Sequence, residues 1–196
     1  NAGLTDNSLC TYPCIASDTT ESFELASFGA WSNDATNDVD WLLGSGSTSS
    51  SGTGPSSAFD GVSYIYVETS SPALSGYKSN LDLGCVDASA WTSPALVFAH
   101  HMYGATMGSL SVIINGTDTL WTLSGDQGDQ WNQVVVDLSA YSSQISISFS
   151  YVRGTSYTGD VGLDLVQIME APIAGCMDPF ADNYDSTATV SGPCFY

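Results

Sequence analysis

The sequence predicts an all-β chain, folded as an antiparallel two-sheet sandwich. Three observations carry that expectation. Aromatic and β-branched residues fall in short runs of period-two alternation, which is the periodicity of a half-buried strand. Clusters of glycine, serine and threonine break up those runs at short intervals, as turns between antiparallel strands require. Helix signals are weak, so a parallel sheet with crossover helices is disfavoured. At 196 residues with 43% hydrophobic content, the chain is long enough for one sandwich and a small appendage.

The elements follow in order. Residues 1–20 are polar, with Cys10 and Cys14 bracketing Thr11-Tyr12-Pro13, and read as an extended leader. A first strand is expected over 21–25. Residues 26–60 scatter Phe28, Trp31, Trp41 and Leu42 among small polar residues. Within them, 45–57 is low in complexity and reads as a long surface loop tied down at Gly54-Pro55. Residues 62–69 alternate, with Tyr64 and Tyr66 on one face and Ile65 and Val67 on the other. Further strands are expected at 96–103, 109–114, 119–123, 132–138, 145–151 and 162–169, about eight in all. The composition changes after Glu170, which puts the sandwich at 21–170 and leaves a tail, 171–196, too short to own a core. Cys176 and Cys194 are its natural staple, worth roughly 3 kcal/mol by chain entropy.

Charge narrows the partners. Twenty-one acidic residues face two basic ones, Lys78 and Arg153, for a net charge of -19. No basic patch exists to displace counterions, so nucleic acid is excluded as a partner. Most of the acids suit solubility in a salty medium that screens self-repulsion. Five cysteines suit an exported protein with disulfides. One bridge is expected among Cys10, Cys14 and Cys85, with Cys14–Cys85 ahead of the short Cys10–Cys14 loop. No apolar run approaches the ~20 residues of a membrane span, and the start at Asn1 reads as a processed mature form.

The most informative stretch is 98–131. It holds His100-His101-Met102-Tyr103-Gly104, then Met107-Gly108, Leu120-Trp121 and Gly125-Asp126-Gln127-Gly128-Asp129-Gln130-Trp131. Together with Phe23-Glu24, Asn37-Asp38-Val39-Asp40-Trp41, Thr53-Gly54-Pro55, Asp60-Gly61 through Glu68, and Gly159-Asp160-Val161-Gly162-Leu163-Asp164, it resembles the MAM family. That is the extracellular module of meprins, neuropilins and receptor tyrosine phosphatases. The resemblance covers roughly 21–169 and implies a jelly-roll sandwich that acts in binding or adhesion. The usual cysteine near the His-Met-Tyr-Gly strand is absent. Cys85 stands ahead of it, as in MAM-like domains of secreted marine Bacteroidetes proteins. The tail is similar to short Gly-Cys-x-Asp-Pro-x-Ala-x-Asn-Tyr repeats of such proteins.

Catalysis finds no support. His100 and His101 are adjacent in an expected strand and point to opposite faces, so they read as core or cross-strand hydrogen-bonding residues. No nucleophile elbow, His-Glu-x-x-His or Cys–His pairing is present. Calcium is the better chemical expectation, because it takes six to eight hard oxygens. The resemblance implies one ion between the first strand, a loop and the last strand, at Glu24, Asp60 and Asp164. The plain alternative is that these carboxylates accept backbone hydrogen bonds. Asp38 and Asp40, beside Trp41, read as turn formers. In the tail, Asp178, Asp182, Asn183 and Asp185 resemble spaced ligands for a second ion, without the glycine and terminal glutamate of an EF-hand. The expected function is extracellular adhesion, at the cell surface or secreted, with other proteins or copies of the chain as partners and fibre assembly in view. The alternative is a carbohydrate-binding module from a larger secreted hydrolase, with polysaccharide on Tyr77, Tyr141 or Tyr157.

Overall fold

The structure is a computed structural model and describes residues 14–196. Cys10 and the first part of the expected leader lie outside the described residues. The strands are β1 (Thr19–Glu21), β2 (Trp31–Asn33), β3 (Trp41–Gly44), β4 (Tyr64–Val67), β5 (Lys78–Asp87), β6 (Pro94–Met102), β7 (Ser109–Ile114), β8 (Asp118–Ser124), β9 (Trp131–Asp137), β10 (Gln144–Val152) and β11 (Val161–Glu170). Two short strands, β12 (Ala174–Gly175) and β13 (Val190–Ser191), belong to the tail. One sheet runs β3-β4-β11-β6-β9, with β1 added to β11, and the other runs β2-β5-β10-β7-β8. All pairings within both sheets are antiparallel. Fold class and architecture therefore match the sequence reading.

Alternation explains the second sheet. In β10, Ile145, Ile147, Phe149 and Tyr151 are buried while Ser146, Ser148 and Ser150 between them are not. In β7, Leu110, Val112 and Ile114 do the same. Phe98 meets Phe149 edge-on across the core, with ring centroids 4.8 Å apart, a favourable aromatic geometry. The core-facing residues form one cluster, from Trp31 and Leu81 through Leu163 and Ile168.

The first sheet behaves differently, because its central strands β6 and β11 are buried on both faces for most of their length. Every residue of β6 is buried. Leu96, Phe98 and Met102 join the core, and Ala95, Val97, Ala99 and His101 alternate with them. The segment after β3 roofs that outer face. Thr53 forms a bridge with Gly104, Gly54 N–H donates to Tyr103 C=O at 3.2 Å, and Trp131 Nε1 donates to Ser57 C=O at 2.9 Å. Residues 45–57, expected as a surface loop, are therefore partly a lid. Gly162 is required beneath it: a Cβ there would sit 3.0 Å from Trp131 and 3.2 Å from Pro55.

Three expectations need correction. The first strand lies at Thr19–Glu21 rather than 21–25, since Phe23 and Ala26 have φ of 59° and 53° and the chain turns there. Residues 14–20 are not a free leader. Ile15 bridges Val86, Cys14 is bonded to Cys85, and β1 pairs with β11. Strands β2, β3 and β5 were not foreseen. In β5, Leu81 and Leu83 alternate correctly, but Gly84-Cys85 sits in a bulge opposite β10 and breaks the period.

In the tail, Cys176 and Cys194 are joined, and β12 and β13 pair in parallel. No helix among the described residues is long and apolar enough to cross a membrane.

Candidate functional site

Glu24 and Asp164 meet the same loop, as the resemblance implied, and Asp60 lies in that loop. Asp164 is fully buried on the roofed face of β11. Its Oδ2 accepts the N–H of Phe59 at 2.8 Å and of Asp60 at 2.9 Å, and its Oδ1 accepts that of Leu165 at 2.7 Å. Glu24 is exposed, in the turn after β1. Its Oε1 accepts the N–H of Val62 at 2.9 Å and of Ser63 at 2.7 Å. The two carboxylates clasp loop 59–63 from opposite ends. Gly61 is needed where they meet it, with φ of 62° and the Glu24 carboxylate 2.6 Å from any added Cβ. Burial raises Asp164 to about 6, against the lowering effect of those amide bonds. No group of three acidic, histidine or cysteine side chains converges on one metal-sized point among the described residues.

The tail acids are not brought together. Asp178 Oδ1 accepts the N–H of Phe180 and its Oδ2 the hydroxyl of Tyr196. Asp185 Oδ1 accepts the N–H and hydroxyl of Thr187. These bonds hold both carboxyls below the ordinary range, Tyr196 acting first on Asp178 and Thr187 on Asp185. Asp182 contributes its backbone N–H to Phe195 C=O. Asp38 and Asp40 shape the turn before β3, bonded to Lys78 N–H and Asn37.

The histidines face opposite sides. His100 packs against Phe98 and Trp121 on the core side, and burial, with the neighbouring His101, lowers it to about 4. Its Nδ1 has no hydrogen-bond partner, so of the two expected roles, core packing or cross-strand hydrogen bonding, the structure shows the first. His101 lies under the roof, 5.3 Å from the Trp131 ring and 3.3 Å from Asp129. Burial lowers it too, and Asp129 opposes that shift.

Two features escaped the sequence reading. The first is a groove of about 440 Å³ on the open face of the second sheet, lined by Asp34, Asn80, Asp82, Ile113, Ser146 and Ser148 among others. It has no aromatic floor. The five tryptophans do not supply one elsewhere: Trp31 and Trp41 are buried, Trp121 and Trp91 pack on the core, and Trp131 meets Tyr64 and His101 edge to face. The second is a buried polar knot under the roof. Asp160 Oδ1 accepts Thr69 N–H and hydroxyl at 2.9 and 2.8 Å, and Asp160 N–H donates to Thr53 Oγ1 at 2.8 Å. Asp160 stands in the Gly-Asp pair, and Thr53 in the Thr-Gly-Pro, of the motif set; motif order alone did not show that they meet.

Comparison with known proteins places these features in a family. The sequence model described as "MAM domain, meprin/A5/mu" matches residues 22–174. The human MAM domain-containing glycosylphosphatidylinositol anchor protein 1 is 33% identical over 165 residues, covering 78% of this chain and 17% of that protein. MAM and fibronectin type III domain-containing protein 1 of Acropora millepora is 41% identical over 87 residues, covering 44% of this chain and 20% of that protein. The chain thus spans a small part of such relatives. Among solved structures, the K1 cleaved adhesin domain of Lys-gingipain from Porphyromonas gingivalis superposes with a TM-score of 0.61 at 18% identity, over 79% of this chain and 99% of that one. TmCBM61 in complex with beta-1,4-galactotriose gives 0.50 at 15% identity, over 76% and 94%. These two likenesses concern the fold.

Proposed function

This chain belongs to the MAM family, and from that membership we propose that it is an extracellular, non-catalytic adhesion module that binds other proteins. The distribution of apolar surface carries the reading. The sandwich turns most of its aromatics inward or under the roof, with Tyr157 and Phe59 as exposed exceptions, and its open face presents serines, threonines and carboxylates. The tail does the reverse: Phe180, Phe195 and Tyr196 are 89%, 61% and 81% exposed, with Met177, Tyr184 and Val190 beside them. Exposed apolar surface of this density marks an interaction site. The relatives that carry MAM domains are named as anchor proteins, and two disulfides suit an oxidising compartment.

Self-assembly belongs to the same proposal, in narrower form. Cys14, Ile15 and β1 are already engaged within their own sandwich, so this segment is not free to add to a neighbour. Calcium also stays a proposal. Glu24 and Asp164 grip the loop that carries Asp60, and loop carbonyls could complete an oxygen shell if the clasping amides yielded to the ion.

Carbohydrate binding is the second reading, favoured by the hydroxyl- and amide-lined groove of Asp34, Asn80, Asp82 and Ser148. The lack of an aromatic floor ranks it lower. Light scattering on the full chain beside a triple variant, Phe180→Ser/Phe195→Ser/Tyr196→Ser, separates the two, with a glycan array run in parallel. Association that the triple variant abolishes, with a silent array, supports adhesion. Strong binding to one polysaccharide that Asn80→Ala removes, with a monomer at every salt level, overturns it.

A further inference from the structure

Asp160 has a carboxyl group with one oxygen left open. It is fully buried, and its Oδ2 has no hydrogen-bond partner. The nearby guanidinium does not serve it: Arg153 donates to Thr69 C=O at 2.8 Å and Gly154 C=O at 3.2 Å. Among the described residues the only ion pair is His101–Asp129. Leaving a carboxylate buried and unpaired is strongly unfavourable.

What surrounds Asp160 is rich in oxygen. Thr48 and Asp160 flank Gly54, where an added Cβ would stand 2.4 Å from Thr48 Oγ1 and 3.1 Å from Asp160 Cβ. Thr48 hydroxyl donates to Thr53 C=O at 3.3 Å. Glu68, half-buried at the rim, accepts from Ser49 hydroxyl at 2.5 Å and from Ser70 N–H at 2.9 Å. Ser50 and Ser70 share a hydroxyl bond of 2.8 Å. We propose that Asp160 and Glu68 hold a hard cation of the calcium class, and that the ion fastens the serine-rich roof, residues 47–55, to the outer face of the first sheet.

The chemistry favours an ion over a proton shared between the two carboxyls. A shared proton engages one oxygen of each acid, whereas an ion can also draw on the Thr48 and Ser49 hydroxyls and the Thr53 carbonyl, which already bond within the roof and to Glu68. A hard cation takes six to eight oxygens of mixed carboxylate, carbonyl and hydroxyl type, which is what Asp160, Glu68 and the roof can offer. The two acids sense each other. Burial raises Asp160 and the charge of Glu68 adds to it, while burial of Glu68 is outweighed by its bonds from Ser49 and Ser70, which lower it. The site is separate from Glu24, Asp60 and Asp164. It also goes beyond the adhesive reading, which stands or falls on the tail.

Amide hydrogen exchange of segment 47–55 in the full chain tests it, because the N–H of Thr48 and Gly54 bond to Pro55 and Tyr103 carbonyls only when the roof is closed. Millimolar calcium at pH 7 is expected to slow exchange there at least tenfold. The slowing should vanish in Glu68→Gln, whose rim position spares the fold, and in Asp160→Asn, and persist in Asp164→Ala. If calcium leaves 47–55 unchanged, or if Glu68→Gln responds like the natural chain, the proposal is overturned. A rise in the protection of 47–55 at pH 5, beyond the intrinsic slowing of amide exchange by acid, with none from calcium, would overturn it in favour of the shared proton.

Discussion

The two outer faces of the sandwich come from strands of similar length and end up as different surfaces. On the first sheet, residues 45–63 fold back over β4, β11 and β6 and bury Tyr64, His101 and Asp164. On the second, Ser148, Ser150 and Ser111 stay at the water boundary with Asn80 and Asp82. The difference lies in which polar groups must be satisfied. Under the roof every carboxylate is held by loop amides or hydroxyls, and an unpaired atom such as Asp160 Oδ2 is conspicuous. On the open sheet, water completes the shell, and neighbours such as Ser111 and Thr122 simply pair across strands at 2.9 Å. One face is therefore closed by the chain itself and the other is left to water.

The largest expected effect tests whether the roof contributes stability. Trp131→Ala removes the ring that meets Tyr64 and His101 edge to face and the Nε1 bond to Ser57. Truncating a large aromatic costs about 3–5 kcal/mol when buried, and Trp131 is half-buried, so about 3 kcal/mol is expected in denaturant unfolding. Ser148→Ala on the open face should stay within about 0.5 kcal/mol. Equal losses would end the distinction between the faces.

Acid separates roof from core. Asp164 is raised to about 6 in the folded chain, so its burial costs stability above that pH, and the cost fades as pH falls towards 4. His100 is lowered to about 4, so it contributes stability above 6.5 that is lost as pH falls towards 4. The opposing trends share one window. Each carries roughly 1.4 kcal/mol per pH unit between folded and unfolded values, on the order of 3 kcal/mol at most. Asp164→Asn should make the chain more acid-sensitive between pH 7 and 4, and His100→Phe less so. Thermal melts across that range check both; the same slope in both variants would mean that neither group governs it.

A cation at the Glu24–Asp164 clasp would change that picture. Calcium bound only to the folded state raises stability by about 2.7 kcal/mol at a hundred times its dissociation constant. It also keeps Asp164 ionised, so acid should then destabilise the natural chain. Melts with chelator and with millimolar calcium are expected to differ by several degrees, and Asp164→Ala to lose the part that belongs to this clasp. Coinciding midpoints would remove calcium from the clasp.

Which parts were legible in the sequence follows the same division. The open sheet has one wet face, so its alternation is clean: β7 falls on the expected residues, and β10 runs one residue further at each end. Strand β5 was missed because a bulge at Gly84-Cys85 interrupts its period. Strands β2 and β3 are three and four residues long, too short to show one. The roof reads from sequence as a surface loop tied down only at Gly54-Pro55, because serine and glycine look alike whether solvated or packed. Only the contacts of Thr48, Thr53 and Pro55 reveal the difference. Glu24, Asp60 and Asp164 were grouped by resemblance, and the structure does bring them to one loop. The Asp160 knot and the Asp82 groove join residues far apart in sequence, and no local pattern announces such meetings.

The smallest effect sharpens the comparison from the open side. Asp82 is raised by burial first, against a lowering bond from Ser148 and with Asp34 adding repulsion. A carboxyl raised in the folded state costs stability at neutral pH, a cost that is lost as pH falls. Asp82→Asn keeps the shape and removes the repulsion. Because water reaches this groove, screening reduces the gain to a few tenths of a kcal/mol, and high salt, which shortens the Debye length from about 10 Å to about 3 Å between 0.1 and 1 M, should reduce it further. Under the roof the corresponding change, Asp164→Asn, should keep its effect at high salt, since Asp164 is fully buried and its shift comes first from burial. Chemical denaturation with urea at low and high salt measures both. A salt-sensitive Asp164→Asn beside a salt-insensitive Asp82→Asn would show that the closed and open faces have been assigned the wrong way round.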